Sequence, residues 1–365
     1  MRIPAEAEDF DVDWMNQALA PHLGSARVAE MEAAPHGTPG QTAAIVAISA
    51  TYDGKTDLPA RFIAKIASQD ESTIENVVKP LDLYYKEFSF YSAGDVGIRC
   101  PDCYYKAYDP DGCQLVLLFE DISHLDSPSW NPSQEQVELA VEKLAPFHAR
   151  WWNQPSLKEF DWLSDAGSMI GMYGNLAIAA IPAVDALGMS GDLTFTHNLV
   201  QGFIDHYNGA LAYLESRPYT LVHGDYHPKQ MFFGKPGTEH EFVMIDWQLP
   251  FRGPGANDLA RILALGFSAE ERRKHEPRLL QRYLDLLHQH GVTDYTMDDL
   301  LEDYRAGTFT SVIIHYLAAA TNVQLFIDEV SALGLDWEEI ANYRLRDTLI
   351  DHGGEQLIDT WKSWQ

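Results

Sequence analysis

The sequence is poor in cysteine and poor in basic charge, and its most apolar late run is not clean enough to cross a bilayer. Its three cysteines are an odd number, which argues against a disulfide framework. Cys100 and Cys103 form a C-x-x-C with Cys113 nearby. No His or Cys lies close enough in sequence to complete a zinc site. Cys103 and Cys113 flank the turn string "DPDG", so they read as small residues on a hairpin, and a reduced, cytoplasmic location is expected. Lys and Arg number 26 against 54 Asp and Glu, a net charge of −28. A nucleic-acid binder needs a basic face to neutralise phosphates, so that class is disfavoured. The acidity serves solubility, or it attracts a cationic substrate. The start, "MRIPAEAEDFDVDW", has no basic residues leading into an apolar core and is not read as a signal peptide. The most apolar late stretch, "SVIIHYLAAATNVQLFI" from Ser311, carries His315, Asn322 and Gln324. It is too polar to span a membrane and reads as a buried helix. Several motifs are missing as well: no G-x-x-x-x-G-K-[ST], no G-x-S-x-G, no H-E-x-x-H, no dinucleotide fingerprint around Gly37 and Gly40, and no fixed-period repeat.

What is present is an ordinary globular composition, 46% hydrophobic and 22% charged over 365 residues, long enough for two domains. Residues 8–22 read as a short helix. Strand-like runs follow at 41–52 and 60–68, separated by the turn-forming "DGKTDLP". A helix comes next, with Pro80 near its first turn and Leu81, Tyr84, Phe88 and Tyr91 at helical spacing. "DCYYKAY" and "CQLVLLFE" read as two more strands around the Asp109–Gly112 turn. From about residue 122 helices take over. The first is a long amphipathic one over 133–152 with Ser133 as its N-cap. Short strands are expected at 221–222, 231–233 and 242–246. The boundary falls in a short hinge near 119–127, which gives a β-rich part, 1–121, and a helix-rich part, 122–365.

Three charged positions sit in apolar company. "EFVMIDWQ" reads as a strand ending in Asp246, and Asp225 likewise follows a short apolar strand. Either aspartate is a strand-end turn residue, or the two converge on one divalent cation. Mg2+ would suit them, because it takes few carboxylates and keeps phosphate and water in its shell. Lys65, in "RFIAKIA", lies on the strand face opposite Phe62, Ala64 and Ile66. It is either an edge-strand lysine facing water or a phosphate anchor. Glu87, in "YYKEFSFY", lies beside the apolar stripe of its helix, where an unpaired carboxylate is unfavourable. A Lys65–Glu87 pair would resolve both.

Taken together, Lys65 on a third strand, Glu87 on the next helix, a hinge at Phe119-Glu120-Asp121, "HGDYHPKQ" and "IDW…GPG…DLA" resemble the protein-kinase-like fold. More closely, the chain resembles the aminoglycoside phosphotransferase and choline kinase superfamily. Within it, "PDCYYKAYDPDGCQLVLLFEDI" and "KLAPFHARWW" look like the branch of ecdysteroid-kinase-like proteins and their bacterial relatives. The resemblance implies an α+β, bilobal fold. An antiparallel β-sheet N-lobe with one key helix precedes a larger, mostly α-helical C-lobe.

It also implies roles. Lys65, positioned by Glu87, would hold the α- and β-phosphates of ATP, with GTP the alternative. Residues 36–42, with Gly37 and Gly40, would cover the phosphates, and Phe119, Glu120 and Asp121 would present backbone groups to adenine. Asp225 would accept the proton of the attacking hydroxyl or orient it. Asp246 would bind Mg2+, with Gln230 at the second metal-ligand position. His223 would brace the catalytic loop. Asp258 would do the same, its other reading being a helix N-cap before "LARILALGF". His148 reads as a packed helix histidine, and His227 as a residue within reach of substrate.

Gln230 is a departure, because the family carries asparagine there. One added methylene moves the amide oxygen by about 1.5 Å, which matters to a metal that demands near-octahedral geometry. The expected function is therefore an ATP- and Mg2+-dependent phosphotransferase acting on a hydroxyl of a small molecule. The candidates are an antibiotic, an amino alcohol, a sterol or another natural product, cationic or not. The alternative is a nucleotide-binding pseudokinase or regulatory protein whose metal site Gln230 has altered. Neither nucleic acid nor membrane is an expected partner, and nothing in the sequence sets the oligomeric state.

Overall fold

The alternating apolar runs of the first third of the chain build a sheet whose central strand carries Lys65. The computed structural model describes residues 1–37, 42–319 and 323–365. These divide into two compact units, 1–126 with 243–249, and 127–242 with 250–365.

In the first unit, β1 (Arg27–Pro35), β2 (Ala43–Asp53), β3 (Arg61–Ala67), β4 (Cys103–Asp109) and β5 (Gln114–Glu120) form one antiparallel sheet in the order β1-β2-β3-β5-β4. Period-2 alternation turns Phe62, Ala64 and Ile66 of β3 toward one core. There they pack with Val46, Ile48, Val116 and Leu118 and with Trp14 and Met15 of the helix Val12–Ala18. Lys65 lies opposite Ile45 of β2 and Leu117 of β5. It therefore sits on a central strand, and the solvent-facing edge reading does not hold.

The helix expected after Pro80 is interrupted. Pro80 lies in the short turn of helix Lys79–Leu81, Asp82 is left-handed at φ 55°, and the helix that carries Glu87 runs from Leu83 to Phe90. Aspartate tolerates this region better than most residues, because its short polar side chain can bond locally.

The sequence-based division at 121/122 differs from the observed one in two ways. The first unit runs on to Asp126 and includes residues 243–249. The reason is local: the Met244 N–H donates to the Arg99 carbonyl at 2.9 Å, and the Trp247 ring stacks on Phe90 at 3.9 Å between centroids.

The second unit is mostly helical. Gln134–Trp151 begins with a reciprocal capping box between Ser133 and Gln136. Ala256–Gly266 is buried along its whole length and packs on Met297–Ala319. A Cβ on Gly307 would stand 2.7 Å from the Asn257 Cα, so only glycine permits this approach. Of the stretch from Ser311, the described residues belong to the helices Met297–Ala319 and Val323–Ala332. Among the described residues, Ala166–Ala186 is long and apolar enough to cross a membrane by length and composition. Half of its apolar window is buried inside the protein, where it packs on Tyr207–Ser216 and Met297–Ala319. Thr220–Val222 pairs antiparallel with Phe251–Gly253, and the loop "HGDYHPKQ" follows Val222 directly.

Candidate active site

In the first unit, one lysine lies between two carboxylates. Lys65 Nζ is 2.8 Å from Glu87 and 2.7 Å from Asp246 Oδ1. The Lys65 side chain is 11% exposed, Glu87 is buried, and Asp246 is 28% exposed. Burial alone would lower the Lys65 pKa, but Asp246 and Glu87 carry it above the usual lysine range. Burial pushes Glu87 up, opposed by Lys65 and reinforced by the Asp246 charge. The two carboxylates thus share one ammonium.

Gln248 adds a link that the sequence did not suggest. Its Nε2 donates to Glu87 at 3.2 Å and its Oε1 accepts from the Thr42 hydroxyl at 2.9 Å. Asp246 itself has φ 65°, a left-handed conformation rare for a residue with a Cβ and found where surrounding bonds hold it.

The other residues expected at the nucleotide are placed less simply. Phe119 and Glu120 end β5. The Glu120 N–H is already bonded to the Asp102 carbonyl at 2.9 Å, and the Glu120 carboxylate accepts from Arg99 and from the Asp102 N–H. The backbone donor of Glu120 is therefore committed within the unit. The Asp121 carboxylate pairs with Arg61 at 2.7 Å and accepts from Ser123. Gly37 is left-handed at φ 68°, with nothing among the described residues within 4 Å of where a Cβ would stand, and Gly40 lies outside the described residues.

The second unit holds the "HGDYHPKQ" loop. Gly224 takes φ 83°, which glycine permits freely, and this turns Asp225 out of the strand line. The His223 and Gly224 N–H groups both donate to the Asp258 carboxylate, at 2.7 and 2.9 Å, and the Asp225 N–H donates to His223 Nδ1 at 3.1 Å. Asp258 also meets His148 Nε2 at 3.3 Å, while His148 Nδ1 meets the Tyr283 hydroxyl at 2.8 Å. The helix expected to be capped by Asp258 instead has Gly255 at its N-cap, with no side-chain cap bond. The carboxylate turns away from its own helix because the loop's two N–H groups are buried and need an acceptor. Tyr226 ties the loop to the long helix through the Ala140 carbonyl at 2.9 Å.

Around the Asp225 carboxylate stand three side chains. Arg261 Nη2 reaches Oδ1 at 2.5 Å, His227 Nε2 reaches Oδ2 at 3.3 Å, and Gln230 Nε2 donates to Oδ2 at 3.4 Å. Burial would raise the Asp225 pKa. The His227 and Arg261 charges and the His227 hydrogen bond outweigh it and hold the carboxyl well below the usual range. The His227 ring stacks on Trp130 at 4.5 Å.

Arg261, Trp130 and Gln248 are the residues that sequence reasoning missed. A signal existed for Arg261. It is the one charged residue in "LARILALG" and lies three positions after Asp258, on the same helical face. Among the described residues, no group of three or more His, Cys, Asp or Glu side chains is arranged to hold a metal.

A family model described as DUF1679, "Uncharacterized oxidoreductase dhs-27", matches residues 206–340, less than half of the chain. The first unit's sheet is antiparallel, unlike the parallel sheet that binds dinucleotides. No curated protein matches in sequence. Several solved structures are similar in fold. A choline kinase from Cryptosporidium parvum superposes with TM-score 0.58 at 13% identity, over 92% of this chain and 93% of that one. A putative aminoglycoside phosphotransferase from Ralstonia eutropha superposes with TM-score 0.51 at 13% identity, over 98% and 99%. The chain has the protein-kinase-like α+β fold found in choline kinases and aminoglycoside phosphotransferases.

Proposed function

We propose that the chain is a small-molecule kinase, moving the γ-phosphate of ATP to a hydroxyl with the help of Mg2+; GTP is the alternative nucleotide. The observation that carries this reading is the Lys65 ammonium fixed between Glu87 and Asp246. A buried cation held in one place meets phosphate oxygens without first being ordered, which is most of what phosphoryl transfer asks of a protein. ATP, when bound with Mg2+, supplies the moving group: the acceptor oxygen bonds to the γ-phosphorus, the bond to the β-phosphate oxygen breaks, ADP leaves, and the hydroxyl proton passes to Asp225 or water.

Lys65 would hold the α- and β-phosphates and Glu87 would fix it. Asp246 suits Mg2+, because that ion needs only one or two protein carboxylates beside phosphate and water. Gln230 would offer its amide oxygen as a second ligand. Gly37 and Gly40 would lie near the phosphates, with Phe119 and Asp121 beside the adenine. Asp225, kept as a carboxylate, would accept the hydrogen bond of the attacking hydroxyl and aim its oxygen. His223 and Asp258 would hold the loop that carries it. The three cysteines, all free, support a reducing and hence cytoplasmic location.

The second reading, a nucleotide-binding pseudokinase, rests on Gln230, which stands where the resembling family carries asparagine. ATP consumption against a panel of hydroxylated metabolites and antibiotics separates the two. Mg2+-dependent turnover is expected, and Gln230→Asn should raise it or change the preferred metal. Nucleotide binding without turnover in either form, across the panel, would favour the pseudokinase.

A further inference from the structure

Among the described residues, several buried groups near Asp225 lack a hydrogen-bond partner, and donors are prominent among them. Arg261 is 4% exposed. One of its nitrogens meets Asp225, while Nε and Nη1 have no hydrogen-bond partner. His227 uses Nε2 toward Asp225 and leaves Nδ1 without one. The Tyr173 hydroxyl is buried and unpartnered, and its pKa is raised by burial first and by Asp225 second, which places it within the electrostatic reach of that carboxylate. Trp130, stacked on His227, leaves its indole N–H open as well. Native proteins leave few buried donors unsatisfied, since each costs its desolvation, so several around one carboxylate mark a place built for an acceptor.

We propose that the molecule phosphorylated at this site carries a carboxylate or similar anionic group within a few bonds of its reacting hydroxyl, and that Arg261 binds that group, with the unpartnered Tyr173 hydroxyl as a further donor. This rests on the kinase reading above. The guanidinium is a planar fork. With Nη2 on Asp225, Nε and Nη1 remain to donate charge-assisted hydrogen bonds to an anionic group. Asp225 would take the hydroxyl, so a hydroxy acid presents its two groups to the two ends of one ion pair. Trp130 and the His227 ring form an aromatic wall suited to an organic body rather than to phosphate alone. The overall charge of −28 pulls the other way, toward cations. That charge acts through screened surface groups, whereas Arg261 acts at contact and out of water.

The test uses the full-length protein with ATP and Mg2+ and sets of matched acceptors: hydroxy acids, the corresponding hydroxy amides, and amino alcohols. The wild type is expected to favour the acids over the matched amides by about 10- to 100-fold in kcat/KM, as a charge-assisted bidentate contact warrants. Arg261→Gln should remove that preference by raising KM for the acids, and Arg261→Lys should restore part of it. Tyr173→Phe supplies an independent variant if Arg261→Gln does not fold, and should raise KM for the acids alone. If the wild type phosphorylates amides or amino alcohols as well as acids or better, the inference fails and the kinase reading stands. If Arg261→Gln leaves the preference for acids over amides intact, whatever it does to turnover overall, or weakens ATP instead, Arg261 serves Asp225 or a phosphate and the inference fails. If nucleotide binds and no acceptor of any class is phosphorylated, both fail.

Discussion

Charged side chains in apolar surroundings are the residues on which this account turns, and Lys65 is the clearest. Removing it leaves Glu87 buried with Asp246 and without their shared cation. Breaking a buried pair from one side costs about 3–5 kcal/mol, and the partial exposure of Asp246 places this case near the lower end. Lys65→Met is therefore expected to lower the unfolding free energy by about 3 kcal/mol in urea titration and to weaken nucleotide binding at least tenfold. Adding Glu87→Leu should recover part of the stability and none of the binding. Lys65, Glu87, Asp225 and Asp246 were legible in the sequence because each breaks an apolar pattern where an unpaired charge is costly. Gln248 and Trp130 were not legible, since a glutamine or tryptophan after a short strand breaks no rule. What distinguishes them is a partner more than a hundred residues away in sequence for Gln248, and nearly so for Trp130.

Among the elements, the helix Ala256–Gly266 does two jobs. It carries Asp258 to the His223 and Gly224 N–H groups, and it packs without a gap on Met297–Ala319 at Gly307. Gly307→Ala would drive a methyl into the Asn257 backbone, which overpacking data put at about 1–3 kcal/mol. Because that shift moves the helix bearing Asp258, the variant is also expected to lose turnover beyond what its stability explains, seen as a lower kcat at a temperature where it remains folded. Asp258→Ala should lose turnover more severely, since it strands two buried N–H donors.

Elements with strong local signals were read well from sequence: the capped helix from Gln134, the β4–β5 hairpin and the central strand β3. The strand Arg27–Pro35 was not. It lies at the sheet edge, carries three acidic or basic residues in "RVAEME", and buries only Val28, so it shows little alternation. The break at Asp82 was hidden because one left-handed residue does not disturb the 3.6 periodicity on either side.

At the scale of the whole molecule, acid should destabilise the fold through at least one identifiable group. Burial, helped by the Arg261 and His227 charges, pushes the His315 pKa down from 6.5 to about 3, while the Ala341 carbonyl and Asp225 pull weakly upward. The folded protein then keeps His315 neutral where the unfolded chain would take up a proton. The unfolded state binds more protons between pH 3 and 6.5, so this contribution is complete above pH 6.5 and is lost as the pH falls toward 3. Denaturation followed against pH should show that limb, and His315→Gln should flatten it. The division into a β-rich and a helix-rich part was legible from the change in pattern near residue 122. The return of 243–249 to the first unit was not, because it depends on where Asp246, Trp247 and Gln248 find their partners.

The central claim is phosphoryl transfer to a hydroxyl oriented by Asp225, and γ-labelled ATP tests it most directly. Label should pass to an acceptor in the wild-type protein, while Asp225→Asn should bind nucleotide with unchanged affinity and transfer none. Equal transfer by Asp225→Asn, or label that reaches only water with every acceptor, would contradict the account.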